Sequence, residues 1–143
     1  MKIFLVLISL SVLSPTVVVA TTGVAHDAPE NVQVFGVIEQ QTFPGRPEYH
    51  SIKAGDEVER GWYLRLPVAI DVQLAKNNAD GNAEPEVGVR VLQLTWAGKA
   101  VEAVIRRSVG QRLKLVGHLF HGFNGHHHTR VLMWVDGAER ERK

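Results

Sequence analysis

The chain has 143 residues, of which 45% are hydrophobic and 22% are charged, and this is the length and composition of one ordinary globular domain. The formal net charge of +1 offers no concentration of Lys and Arg, so nucleic acid is not expected as a partner. The chain has no cysteine, which excludes disulfides, Cys nucleophiles and Cys ligands. Any transition-metal site must therefore use His, Asp and Glu.

The N-terminal residues 1–20 predict a secretory signal peptide. A short basic start is followed by an apolar run from Ile3 to Leu13, and Val18-Val19-Ala20 is a small-residue cleavage pattern. The run is interrupted by serines and is shorter than the ~20 apolar residues of a membrane-spanning helix. We therefore expect an exported protein, in the periplasm of a Gram-negative bacterium or secreted, with no membrane span after cleavage.

An irregular lead-in over residues 21–31 is followed by five strand-like segments and one helix. The strands are predicted from apolar alternation, and the helix from apolar residues at helical spacing followed by Gly110 as a C-terminal cap. Gly36 predicts a bulge or a sharp bend, and Pro67 predicts an edge position or a bend. The predicted order is strands 32–38, 62–74 and 88–96, a helix 99–109, strands 112–120 and 129–135, and a charged, solvated tail 137–143.

Three strands, a helix and two further strands is the connectivity of the OB-fold, a five-stranded Greek-key barrel. The expected fold is therefore all-β with one helix, as a single OB-like β-barrel domain over residues 32–136, and a small β-sandwich is the alternative. The usual binding loops of the OB-fold would here be the 43–59 and 121–129 segments, both on one side of the barrel.

The segment from His118 to Thr129 contains five of the seven histidines. Neutral imidazole is a common ligand for zinc and other divalent transition metals. If the segment is extended and residue 121 pairs with residue 128 across the hairpin, their Cβ atoms would lie ~5 Å apart. His121, His126 and His128 could then form a three-nitrogen metal site, with His118 and His127 as weaker candidates. The other interpretation is that these rings brace the loop by hydrogen bonding.

The two loops also carry candidates for binding a ligand directly. Aromatic side chains can anchor a partner, although each could equally be buried in the core. The candidate ligand-binding residues are Phe43, Tyr49, His50, Asp56 and Phe123.

An enzyme is less expected than a binding protein. His with Asp56 or Glu57 could act as a general base, and a metal-bound water could serve hydrolysis. The available hydroxyls (Thr42, Ser51 and Thr129) lie in no recognisable activation motif, so no catalytic residue is assigned.

The two unusual loops resemble a bacterial exported family described as domain of unknown function 4431. The matching residues are Phe43-Pro-Gly, Pro47-x-Tyr49, Ser51-Ile52, Gly55-Asp56-Glu57, Trp62, Gly110, Gly117-x-Leu-Phe-His121, Gly125-His-His-His-Thr129 and Val131-Leu132. The resemblance implies an exported domain and carries no assigned activity. Together with the residue pattern, it favours a small exported module that binds a protein or another cell-envelope ligand through the two loops. A histidine-based divalent metal-binding protein is the alternative, and a metal-dependent hydrolase is less favoured.

Overall fold

The computed structural model describes residues 31–73 and 84–141. The elements are β1 (Val32–Pro44), a short 3-10 turn (Ile52–Ala54), β2 (Val58–Val72), β3 (Glu86–Thr95), α1 (Lys99–Arg107), β4 (Arg112–His121) and β5 (Val131–Arg140). The predicted signal peptide, nearly all of the 21–31 lead-in and Leu74 lie outside the described residues. Among those described, no helix combines the length and apolarity needed to cross a membrane.

The five strands close into a barrel in the order β1-β2-β3-β5-β4. β3 and β5 run parallel, and the other neighbouring pairs run antiparallel. This closed five-stranded barrel, with one helix between β3 and β4, confirms the predicted OB-like fold, and the β-sandwich alternative is wrong.

Inward-facing apolar side chains from every strand fill the barrel, as is usual for small barrels. On α1, Ile105 is fully buried, and Val101 and Val104 pack against the same core, so the helix covers one end of the barrel. The buried strand residues of the core are Val34, Ile38, Leu64, Leu66, Val72, Leu92, Leu94, Leu113, Leu115, Leu119, Val131, Met133 and Val135.

β1 coils strongly and pairs with two different strands. Its first half pairs with β4 and its second half with β2, and Val37 has a partner on both sides. A Cβ at Gly36 would collide with the carbonyl oxygen of Arg65 and the Leu64 side chain. Gly36 is therefore needed for the close approach of β2 where the pairing changes, in agreement with the predicted bend.

The first hairpin is longer than the sequence pattern indicated. β1 continues to Pro44, so Phe43 lies on a strand and pairs with Glu59 instead of lying in the loop. β2 is one strand, and its pairing with β3 is irregular between Arg65 and Ile70, around Pro67. The polar residues of this hairpin resemble a loop because the hairpin extends beyond the apolar core, and its outer positions Gln40, Thr42 and Arg60 are exposed.

The ends of the later elements also differ from prediction. α1 ends at Arg107, because Ser108 is its C-cap and Val109 makes a bridge with Ile38. β4 includes His121, and β5 begins at Val131 and not at Thr129.

The prediction of a solvated tail from residue 137, and of a domain boundary at 136, is wrong. β5 continues to Arg140 and pairs with β4 along this length. Its charged side chains hid the strand pattern, although Glu139 pairs with Lys114 across the ladder and Ala138 packs against the core.

Candidate functional site

The loop between β1 and β2, residues 45–57, is held in shape by the Asp56 carboxylate. Its Oδ1 accepts the backbone N–H of Glu48 at 3.0 Å, and its Oδ2 accepts those of His50 at 2.8 Å and Ser51 at 2.7 Å. These hydrogen bonds, led by those from Ser51 and Glu48, hold the pKa of Asp56 below its usual range. Asp56 was expected to bind a ligand, but the buried carboxylate is instead occupied by its own loop.

The loop between β4 and β5, residues 122–130, is anchored by Gln93 on β3. The buried Gln93 side chain accepts from the backbone N–H of His128 at 2.6 Å and donates to the carbonyl oxygen of His126 at 2.7 Å. The backbone N–H of Gln93 also donates to Thr129 Oγ1 at 3.2 Å. One glutamine therefore holds the backbone on both sides of His127.

His127 braces the turn within this loop. Its Nδ1 accepts the backbone N–H of Phe123 at 3.0 Å, and the two rings pack edge to face with centroids 4.6 Å apart. Burial lowers the pKa of His127, with smaller contributions from the positive charges of His126 and His128. This geometry is the bracing arrangement that the sequence left open as the other interpretation of the histidines.

The two loops meet at His126. Its Nδ1 lies 2.9 Å from Glu59 Oε2, and its Nε2 lies 3.3 Å from the Tyr49 hydroxyl. Because the carboxylate can only accept, His126 donates from Nδ1, and Nε2 of the neutral ring accepts from Tyr49. A phenol, an imidazole and a carboxylate thus form one hydrogen-bonded chain that joins residues from both loops.

Behind this chain lies a layer of stacked rings. Phe43 stacks on His128 with centroids 4.0 Å apart and planes within 5°. His128 Nε2 lies 3.9 Å from Glu59 Oε1, so Glu59 faces two histidines. Burial, and secondly the charge of Glu59, raises the pKa of Tyr63, whose ring packs against Phe43. Glu59 is therefore the charged centre of the junction.

The structure does not bring together the three histidines of the predicted metal site, His121, His126 and His128. His121 is buried and its Nδ1 lies 3.6 Å from Glu86, whereas His126 and His128 lie beside Glu59. The residue opposite His121 is Val131 and not His128, because residues 124–126 form a turn and not an extended strand. In residues 31–73 and 84–141, no three His, Asp or Glu side chains are arranged to hold a metal ion.

The other predicted residues are distributed over several places. His118 projects from the outer face of β4, 3.6 Å from Asp136, with Trp134 beside it. His50 contributes its backbone N–H to Asp56 and not its ring to the junction. Phe123 is 59% exposed and lies on the surface of the second loop.

Sequence reasoning missed Glu59 and Gln93, the two side chains that organise the junction. Glu59 pairs directly with Phe43 in the β1–β2 ladder, so a correct register of that hairpin could have found it. Gln93 is a buried polar residue within an apolar strand, which is itself a signal that it has a specific partner.

The junction opens onto a surface groove of about 320 Å³ that offers both hydrogen-bonding and apolar contacts. Its lining residues are Gly45, Arg46, Glu57, Val58, Glu59 and His126. Because the groove is shallow and the His126 ring in its lining is exposed, it is suited to contact with a surface feature of a larger ligand.

The fold and this junction define the chain as a small OB-like β-barrel in which the β1–β2 loop and the β4–β5 loop contact each other. Residues 91–139, less than half of the chain, match the family model described as domain of unknown function 4431. That match confirms the resemblance from Gly110 to Leu132, and the similar residues around Phe43 to Trp62 lie outside it. A search of curated proteins found no match to this chain.

Proposed function

We propose that this chain is a small exported binding protein that recognises a protein or another cell-envelope ligand. The binding surface would be the junction of the 45–57 and 122–130 loops. The proposal rests mainly on one observation, the contact of both loops through His126, Tyr49 and Glu59.

A junction that is held together before any ligand arrives has a low ordering cost on binding. Asp56 and Gln93 fix the two loop backbones, and the rings of Tyr49 and His126 pack edge to face at 5.3 Å. Pre-organised surfaces gain affinity because little conformational entropy is lost when the partner docks.

Phe123 supplies an apolar anchor beside the junction. Its side chain is 59% exposed, and its ring packs edge to face against the ring of His127. Exposed aromatic side chains on a fixed backbone are frequent hot spots of protein interfaces, because they bury much apolar area at a small entropy cost. The export part of the proposal rests separately on the signal-peptide pattern of residues 1–20.

The metal-binding alternative has one supporting observation, which is that Glu59 faces both His126 and His128. His126 Nδ1 hydrogen-bonds to Glu59 at 2.9 Å, whereas His128 Nε2 lies 3.9 Å from the carboxylate and makes no hydrogen bond within the described part of the chain. These three side chains are not arranged to hold a metal ion. We therefore favour direct recognition through these side chains over recognition through a bound ion.

The test is retention of envelope components by the immobilised chain, with and without chelator. We expect a specific component that the wild type retains equally in EDTA, and about tenfold weaker retention by Phe123→Ala, as expected for loss of an interface hot spot. Val109→Ala is the matched control, because Val109 is an exposed apolar residue outside both loops. Retention that disappears in EDTA but is unaffected by Phe123→Ala would favour the metal alternative, and no specific retention would contradict the proposal.

A further inference from the structure

A separate open cavity lies where the C-terminal end of α1 meets the end of β5. Its volume is about 350 Å³, and its lining residues are Val104, Arg107, Ser108, Ala138 and Arg140. The 45–57 loop joins β1 to β2, and the 122–130 loop joins the end of β4 to the start of β5. This cavity lies instead beside the end of β5, which pairs with the start of β4, and none of its lining residues belongs to either loop. It is therefore separate from the proposed binding surface.

The position of Arg140 follows from an irregularity in β5. Val131, Met133 and Val135 face the core, but the register with β4 shifts between Val116 and Gly117. Because side chains alternate along a strand, one extra residue moves the next even-numbered positions to the inner side. Arg140 therefore lies on the same side of β5 as Ala138 and lines the cavity beside the end of α1, where it is exposed.

The neighbouring glutamates do not neutralise Arg140. Glu139 pairs with Lys114 at 2.7 Å, and Glu141 pairs with Arg112 at 2.7 Å. In the described part of the chain, Arg140 makes no ion pair. Its charge therefore faces the cavity without a carboxylate partner.

Arg107 brings a second positive charge to the same cavity. Its Nε donates to the carbonyl oxygen of Ala103 at 2.8 Å, which fixes the side chain and leaves its terminal amino groups available. Arg106, one residue earlier, is instead paired with Glu102 and stacked over Trp62. Arg107 and Arg140 therefore give the lining of one cavity two positive charges.

Ser108 adds a hydroxyl to the two charges. The residue is 1% exposed, and its Oγ has no hydrogen-bond partner among the described residues. A buried hydroxyl without a partner is costly, and such a group in a protein calls for an explanation. An oxyanion in the cavity would accept a hydrogen bond from it.

We propose that this cavity binds a phosphate monoester. Guanidinium groups match phosphate oxygens in geometry and charge, and a phosphate has enough acceptor oxygens for two arginines and one hydroxyl at once. A carboxylate has fewer acceptor oxygens to share among the same donors. Val104 and Ala138 supply an apolar wall for the organic part of the ester.

The experiment is a titration of the purified, isotope-labelled chain with phenyl phosphate at constant ionic strength, followed by amide chemical shifts. We expect saturable shifts confined to the segments around Ser108 and Arg140. Loss of charge-assisted hydrogen bonds in the double variant Arg107→Gln/Arg140→Gln should weaken binding about tenfold or more. Ser108→Ala should weaken binding without loss of fold, which separates a ligand-binding role from a structural one.

Arg90→Gln is the matched control, because it removes the same charge from an exposed position on β3 that does not line the cavity. Equal weakening by Arg90→Gln, shifts that do not saturate, or tighter binding of benzoate than of phenyl phosphate would overturn the proposal. Co-sedimentation with phosphatidylcholine vesicles that contain phosphatidic acid distinguishes the source of the phosphate. Binding to the vesicles as well would assign a lipid headgroup, and binding to dissolved phenyl phosphate alone would assign a soluble ester.

Discussion

Individual polar side chains in the 45–57 and 122–130 loops, and Gln93 on β3, mainly hold the loop backbone in place. Asp56 accepts three backbone N–H groups, Gln93 holds two backbone groups, and His127 accepts one. Buried backbone N–H and C=O groups of a loop need hydrogen-bond partners. In a sheet a neighbouring strand provides them, and here these side chains provide them. The histidine-rich stretch is therefore in part a set of loop braces.

The brace formed by His127 should make the second loop sensitive to pH. The folded-state pKa of His127 is lowered, chiefly by burial, below an unfolded value of about 6.5. Its stabilising contribution is therefore fully present above about pH 6.5 and is lost as the pH falls through the lowered folded value. Protonation removes the lone pair that accepts from Phe123, so the hydrogen-exchange protection of the Phe123 amide, corrected for intrinsic rates, should fall as the pH is lowered.

In His127→Gln, which does not titrate, the protection of Phe123 should lose this pH dependence. His118→Gln is the matched control, because His118 lies on the outer face of β4 and should leave the dependence unchanged. An unchanged pH profile in His127→Gln would contradict the assignment.

At the scale of elements, the register shift in β5 decides which residues face inwards near its end. Before the shift the odd-numbered residues of β5 face the core, and after it Ala138 packs there. The same shift sends Glu139 to the outer side, where it pairs with Lys114. Residues 137–140, which resemble a charged tail in the sequence, therefore form part of a barrel strand.

Ala138→Pro should destabilise the barrel far more than Glu139→Ala. Proline at position 138 would disturb the β4–β5 ladder where Ala138 pairs with Leu115, and this should lower the free energy of unfolding by about 1–3 kcal/mol. Loss of the exposed Glu139 pair should change it by less than about 0.5 kcal/mol. Urea unfolding of both variants measures the difference, and equal effects would mean that residues 137–140 do not contribute to the barrel.

At the scale of the whole molecule, closure of the barrel brings distant segments together. Tyr49 and His126 are separated by 77 positions, and Glu59 and His126 by 67. The junction exists because β1, β2 and β5 are positioned around one core. Its stability is therefore coupled to that of the barrel.

A double-mutant cycle with Glu59→Gln and His126→Ala measures this coupling. The imidazole is about half exposed, so the coupling energy in denaturant unfolding should be only about 0.3–1 kcal/mol. The same cycle with His118→Ala in place of His126→Ala should give a value near zero, since His118 contacts Asp136 and not Glu59. Coupling energies of similar size in both cycles would argue against a specific contact between the loops.

The amino-acid sequence by itself determined the order of the elements and, through that order, the class of fold. Alternation along residues 112–120 and helical spacing along residues 99–109 are local patterns that arise from each segment's contact with one core. Connectivity then restricts the barrel topologies that remain. Local patterns could not reveal that Phe43 and residues 137–140 lie on strands, because pairing, and not apolar alternation, maintains them there.

Only the tertiary structure decided what the histidines do. The expected metal cluster required an extended segment after His121, but Gln93 and Asn124 hold that backbone in a turn. Gln93 acts across 33 positions or more, so no pattern within the histidine stretch could predict its effect. The sequence shows which side chains are available. The contact of Glu59 with His126 depends on barrel closure and strand register, which are properties of the whole chain.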